Sequence, residues 1–199
     1  MINLKQFYQS IQTLKNSKNL GDGAILKADA LGAKINPEVQ EKMQAVIGYY
    51  PQINLDQLSK LPDGTLGKEY ARHLQEKNLK PFNVSSDLKE MGDKNIFALR
   101  YAVTHDIFHV LLGFDTSYAG EIGVLAFAAE QNYSKSLKIS LWFARILYPI
   151  LAPIQLKQIL ENIRKGKEMG RKAKFLLGYR FEDNWQRPLG ELKAELGIM

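Results

Sequence analysis

The chain has no cysteine and only three histidines among its 199 residues. Without thiols there is no disulfide framework, and any metal ion must be held by nitrogen and oxygen. A long clean apolar run is also missing. The nearest, "SLWFARILYPILAPIQL" at 140–156, is broken by Arg145, Pro149 and Pro153 and falls short of the ~20 residues that a spanning helix needs, so no transmembrane helix is expected. Nor is there sustained period-two alternation, an internal repeat, a low-complexity tract or a linker long enough to divide the chain. The start, "MINLKQFYQSIQTLKNSKN", has neither the apolar centre of a signal peptide nor the arginines of a transit sequence, and reads as the first helix of a cytoplasmic protein.

What is present is moderate positive charge and helical periodicity. Twenty-seven basic against 21 acidic residues leave a net charge of +6. That balance favours anionic partners without singling out nucleic acid, and no nucleic-acid partner is expected. Apolar residues recur at spacings of three and four, which predicts an all-α fold, a single-domain helical bundle over residues 1–199. Helices are expected at the N-terminus (Ile2, Phe7, Ile11, Leu14), over 24–31, and from Pro37. Others should run from Thr65 as N-cap to Leu74, from Lys94 to about Leu112 with Asp93 as cap, and through "AGEIGVLAFAAEQ". Further helices are expected from Ser134 or Ser136 to near Pro149, from Pro153 through Leu177, and after Pro188.

The stretch "THDIFHVLLGFDTSYAGE", 104–121, concentrates the chemistry. On a helix His105 and His109 stand one turn apart on one face, and Asp106, three residues before His109, borders it. Gly113 stops the helix, and the short loop after it returns the next helix antiparallel, aiming Glu121 at the imidazoles. Two neutral nitrogens and two carboxylates suit zinc, manganese or ferrous iron better than a soft copper site. The alternative is a pair of core histidines satisfied by Asp106 and Glu121.

The pattern His105, Asp106, two residues, His109, eleven residues, Glu121 resembles the signature of the coenzyme Q biosynthesis protein 4 family. "LPDGTLGKEYARHL" and the ending "YRFEDNWQRPLGELKAELGI" resemble family segments too, so the similarity runs from about Leu61 to the C-terminus. The resemblance implies an all-helical protein needed for making an isoprenoid (ubiquinone-type) quinone. Such a protein is peripheral at a membrane, here the inner face of a cytoplasmic one. It further implies a divalent ion (zinc, iron, manganese or magnesium) bound by His105, Asp106, His109 and Glu121. Two activities come with it: oxidative decarboxylation of a prenylated hydroxybenzoate head group, or non-catalytic presentation of a prenylated lipid to the other quinone-biosynthesis enzymes.

An isoprenoid tail needs an apolar groove with a polar end. Leu125, Trp142, Phe143 and Leu147 are the candidate lining and Arg145 the candidate head-group contact, although each apolar residue alone reads as ordinary bundle core. "RKGKEMGRKAK" sets Arg164, Lys165, Lys167, Arg171, Lys172 and Lys174 against Glu168 only. That is either a solvated face or an attachment to an anionic membrane surface. Gly166 and Gly170, four apart, admit close approach of a helix or a ligand. A metal-dependent phosphohydrolase is a third reading of the His105–Asp106 pair, weakened because His73 is the only other histidine. A homodimer is left open.

Overall fold

The computed structural model describes residues 33–83 and 95–198, and among these it is all-α. The helices expected over 2–14 and 24–31, and the Asp93 cap, lie outside the described residues. α1 (Pro37–Gln40) begins at a proline whose missing N–H costs a first helical turn nothing, and tightens into a 3₁₀ stretch, Glu41–Val46. α2 (Leu55–Leu58) is a single turn. α3 (Leu66–Glu76) is capped by Thr65, whose hydroxyl accepts from the Lys68 N–H, and buries Leu66, Gly67, Tyr70, Ala71 and Leu74 on one face.

α4 (Ile96–Leu112) starts two residues later than expected. Its cap is Asn95, whose Oδ1 accepts from the Ala98 N–H at 3.1 Å while Nδ2 donates to the Ala33 carbonyl at 2.7 Å. Because α4 is apolar nearly all round, it runs through the middle of the core. Phe108 lies within 6.4 Å, ring centre to centre, of Tyr101, Phe127, Tyr133 and Phe181. Arg100, 3% exposed, clamps the C-terminal segment to it. Its guanidinium binds both Glu182 oxygens at 2.6 and 3.0 Å and donates to the carbonyls of Leu177 and Tyr179. A charge this deep is tolerated because every side of it is answered.

Gly113 ends α4 in the left-handed region (φ 71°), and Ser117 caps α5 (Tyr118–Glu130) through its hydroxyl. α5 packs mainly on α7 and α6, with more limited contact to α4. The reason is glycine on the α7 side of that contact, at Gly166 and Gly170. A Cβ built on Gly166 would fall 2.3 Å from the Gly123 carbonyl oxygen, so two backbones touch where side chains would normally hold them apart. The close approach read from Gly166 and Gly170 is therefore that of a helix.

α6 (Lys135–Leu151), capped by Ser134, passes through Pro149 and stops two residues beyond it, close to the expected end. The residue before Pro153, Ala152, is forced out of helical geometry (φ −137°, ψ 65°). A 3₁₀ turn, Pro153–Gln155, then leads into α7 (Leu156–Lys172), which ends five residues short of the expected Leu177. α6 and the Pro153–Lys172 segment meet at an elbow bent by 115°, and no single helix among the described residues is long and apolar enough to cross a membrane. The elbow is unusual for its surface. Trp142, Phe143, Ile146 and Leu147 are each about half exposed, Ile150 is 71% exposed and Ile154, at the tip, 99%. A last 3₁₀ turn, Phe181–Asn184, precedes α8 (Leu189–Leu196), which follows Pro188.

Candidate metal centre

The helical spacing of four does what it dictates: His105 and His109 emerge from α4 side by side, their ring centres 4.9 Å apart. Glu121, in the first turn of α5, returns to both. Its Oε1 lies 3.3 Å from His109 Nε2 and its Oε2 lies 3.5 Å from His105 Nε2. One donor atom from each of the three residues falls within 4.8 Å of the other two. Around a tetrahedral ion with bonds of ~2.1 Å, neighbouring ligand atoms are separated by roughly 3.4 Å, and the two histidine–carboxylate separations, each to a different Glu121 oxygen, are of that order.

His109 supplies the sharper test. Its side chain is fully buried, and its Nδ1 sits 3.0 Å from the Phe114 carbonyl oxygen. A carbonyl only accepts, so Nδ1 carries the proton, and in the neutral ring Nε2 presents a bare lone pair. That Nε2 is inaccessible to solvent and has no aligned hydrogen-bond partner. It faces instead a carboxylate oxygen, another acceptor. Two lone pairs 3.3 Å apart in a buried site are tolerable only with a cation between them, a proton or a metal ion. The electrostatics agree: burial pushes His109 down, but the Glu121 carboxylate and the Phe114 carbonyl outweigh it, and its pKa sits above the ordinary histidine value. Burial pushes Glu121 up, and the two histidines more than offset that, holding it below the usual carboxylate value. These residues fit a divalent ion.

Asp106 stands beside this trio. Its Oδ1 is 3.8 Å from His105 Nδ1, on the far edge of that ring from Glu121. Burial raises its pKa, and His105, together with His73 and His109, more than offsets that, holding it below the usual carboxylate value. Three residues that the sequence reading did not assign to the site also border it. His73 of α3 stacks on His109 with ring centres 5.7 Å apart and planes 16° from parallel. Tyr101 meets His105 edge-on, and Tyr70 lies within the field of Asp106. Tyr70 lies on the buried face of α3 and His73 at its half-buried edge, and no local signal in the sequence ties either to the site.

The lipid-lining candidates divide. Leu125 is partly buried against the core, whereas Trp142, Phe143, Arg145 and Leu147 are exposed on α6. Tyr148 of α6 packs edge-on against Tyr118 of α5 at 5.1 Å, one turn from Glu121. The apolar surface of the elbow thus reaches the neighbourhood of the trio.

The family model for "Coenzyme Q (ubiquinone) biosynthesis protein Coq4" matches residues 40–199. Among curated relatives, the ubiquinone biosynthesis protein COQ4 homolog, mitochondrial, of Rattus norvegicus is 31% identical over 177 residues, 87% of this chain and 63% of that protein. The Homo sapiens homolog is 33% identical over 150 residues, 73% of this chain and 55% of that protein. The chain thus spans less than two thirds of the length of these relatives. The crystal structure of a Nostoc punctiforme protein, provisionally assigned to ubiquinone biosynthesis, superposes with a TM-score of 0.69 at 26% identity, covering 98% of this chain and 96% of that one. With the match running from the 3₁₀ turn after α1 through the His105–Glu121 constellation to the last residue, the chain belongs to the Coq4 family of coenzyme Q (ubiquinone) biosynthesis proteins.

Proposed function

We propose that this protein acts in the making of ubiquinone or a related isoprenoid quinone. It holds a prenylated hydroxybenzoate with its head group at a divalent ion bound by His105, His109 and Glu121, and it removes the ring carboxylate oxidatively. The observation that carries this reading is the His109 Nε2 lone pair, buried and aimed at the Glu121 carboxylate. When bound, the ion supplies Lewis acidity with coordination positions left open for substrate oxygens. The chain's own part is positional. Phe114 fixes the His109 tautomer, Glu121 balances the charge, and Asp106 orients His105. In the reaction the bond between ring and carboxyl carbon breaks, carbon dioxide leaves, and a hydroxyl whose oxygen comes from water takes its place with release of two protons, counted from the carboxylic acid. The two electrons released pass to an oxidant of the dioxygen class.

The exposed apolar elbow supports a location at an anionic membrane surface. Between Glu130 and Glu161 the chain has Lys135, Lys138, Arg145 and Lys157 and no acidic residue. An exposed apolar tip on a segment whose charges are all positive suits a bilayer of negative headgroups. A prenyl tail leaving that bilayer would meet Trp142, Phe143 and Leu147 first, with Arg145 available to an anionic group.

The test is single turnover of a carboxyl-labelled prenylated 4-hydroxybenzoate by the metal-loaded protein in air. Label appearing as carbon dioxide, dependent on the metal, is expected. Tight binding without release would leave the second reading, a lipid-presenting scaffold for partner enzymes, which the extent of the exposed elbow favours.

A further inference from the structure

The ion position is open on one side. His109 is fully buried, but the His105 and Glu121 side chains are each about a third exposed, so a ligand reaches the trio past them. Tyrosines from three helices flank that approach. Tyr118 stands three residues before Glu121 on α5, and Tyr101 four before His105 on α4, so each shares a helix face with a member of the trio. Tyr148 of α6 completes the set, its ring edge-on to Tyr118 with centres 5.1 Å apart and planes at 65°.

Core packing accounts for Tyr101, which is partly buried against the core and edge-on to His105. It does not account for Tyr118, which is 43% exposed and, among the described residues, meets no ring but that of Tyr148. An aromatic ring left this open offers its surface to another ring, stacked or edge-on. Just along α6 from Tyr148, Leu147 and Leu151 are about half exposed and lead toward the tip of the elbow. The order on the protein is therefore ion position, tyrosine pair, apolar face. A prenylated aromatic acid has the same order: carboxylate, ring, tail. A tyrosine can also serve as a plain anchor at a lipid–water boundary, but an anchor does not tell one ligand ring from another.

We propose that Tyr118 and Tyr148 form an aromatic clamp between the ion position and the elbow, which holds the ligand's ring and selects aromatic over saturated head groups. This rests on the prenylated-hydroxybenzoate reading above, to which it adds the residues that grip the ring.

Manganese-loaded protein is titrated by calorimetry with geranylated 4-hydroxybenzoate and with its ring-saturated counterpart, geranylated 4-hydroxycyclohexanecarboxylate. The proteins are the parent, Tyr118→Leu, Tyr148→Leu, the double leucine variant, Tyr118→Phe and Tyr148→Phe. The two ligands share a carboxylate and a tail, and the saturated ring is the more hydrophobic, so burial alone favours it. The parent should nonetheless prefer the aromatic ligand by about three- to tenfold. Each leucine variant should reduce that preference, the double variant should abolish it, and the phenylalanine variants should keep it. Manganese affinity in the absence of ligand should match the parent's throughout. A parent that binds both ligands alike, a double leucine variant that keeps the preference, or phenylalanine variants that lose it would overturn the clamp. Loss of manganese from the leucine variants would mean that the rings brace the trio, and would overturn it too. Binding of neither ligand by the parent refutes the prenylated-hydroxybenzoate reading itself, and with it the guest assigned to the clamp.

Discussion

Replacing Ile154 with serine isolates the elbow's role, because the residue is 99% exposed and contributes nothing to the core. Folding stability should be unchanged. If the tip enters a bilayer, the isoleucine goes from full exposure to full burial, a transfer worth about 1.5–3 kcal/mol. Its loss should weaken partitioning onto vesicles by about 10- to 150-fold. Ile150, 71% exposed, should give a smaller loss, and the double substitution roughly the product of the two. The electrostatic part is separable: each of Lys135, Lys138, Arg145 and Lys157 that reaches the headgroups adds about 1 kcal/mol, and salt should remove that part alone. Co-sedimentation with vesicles of mixed neutral and anionic phospholipid, at low and high salt, measures both. Partitioning of Ile154→Ser equal to the parent, at an unchanged melting temperature, would refute the insertion. Loss of a dimer on the same substitution would reassign the elbow to self-association.

The other predictions concern the interior. His109→Ala and Glu121→Gln should each abolish measurable binding of manganese or zinc by calorimetry, whereas Asp106→Asn should weaken it by about 10- to 100-fold; retention by both of the first pair would move the site elsewhere. Arg100→Met strands the buried Glu182 carboxylate and should cost about 3–5 kcal/mol in denaturant unfolding, with most of it recovered when Glu182→Gln is added. Gly166→Ala places a Cβ 2.3 Å from the Gly123 carbonyl oxygen, and should cost about 1–3 kcal/mol. At about 2–4 °C per kcal/mol for a chain of this size, calorimetric melting would show it.

The parts of the structure legible in the sequence are those set within a few residues. Thr65 and Ser134 cap their helices because a hydroxyl reaches the next turn's N–H whatever surrounds it, and Gly113 turns the chain because its backbone alone permits it. The trio of His105, His109 and Glu121 is legible for the same reason: one helical repeat and one tight turn bring it together. Tyr70 and His73 are not, since they arrive from a helix about thirty residues away, and nothing local reports which face of α3 meets α4. The elbow is illegible for another cause. An apolar helix such as "SLWFARILYPIL" has the same composition whether its partner is protein or lipid, so only the fold reveals that Trp142 and Ile154 face outward. Pro149 marked the helix end to within two residues, since a proline removes one N–H but does not stop a chain already held by its neighbours.

The bond from His109 to the Phe114 carbonyl is made by main chain, and its location is set by the left-handed turn at Gly113. An alanine scan would therefore walk past it: Phe114→Ala keeps the carbonyl, and the imidazole keeps its anchor. What disturbs the anchor is a residue with no side chain to lose. At Gly113 any L-amino acid strains the backbone, although no neighbouring atom stands within 4 Å of a Cβ added there. A substitution at so unremarked a position would release the ring to rotate, and it would present in assays as a loss of metal from a protein whose ligands are all intact.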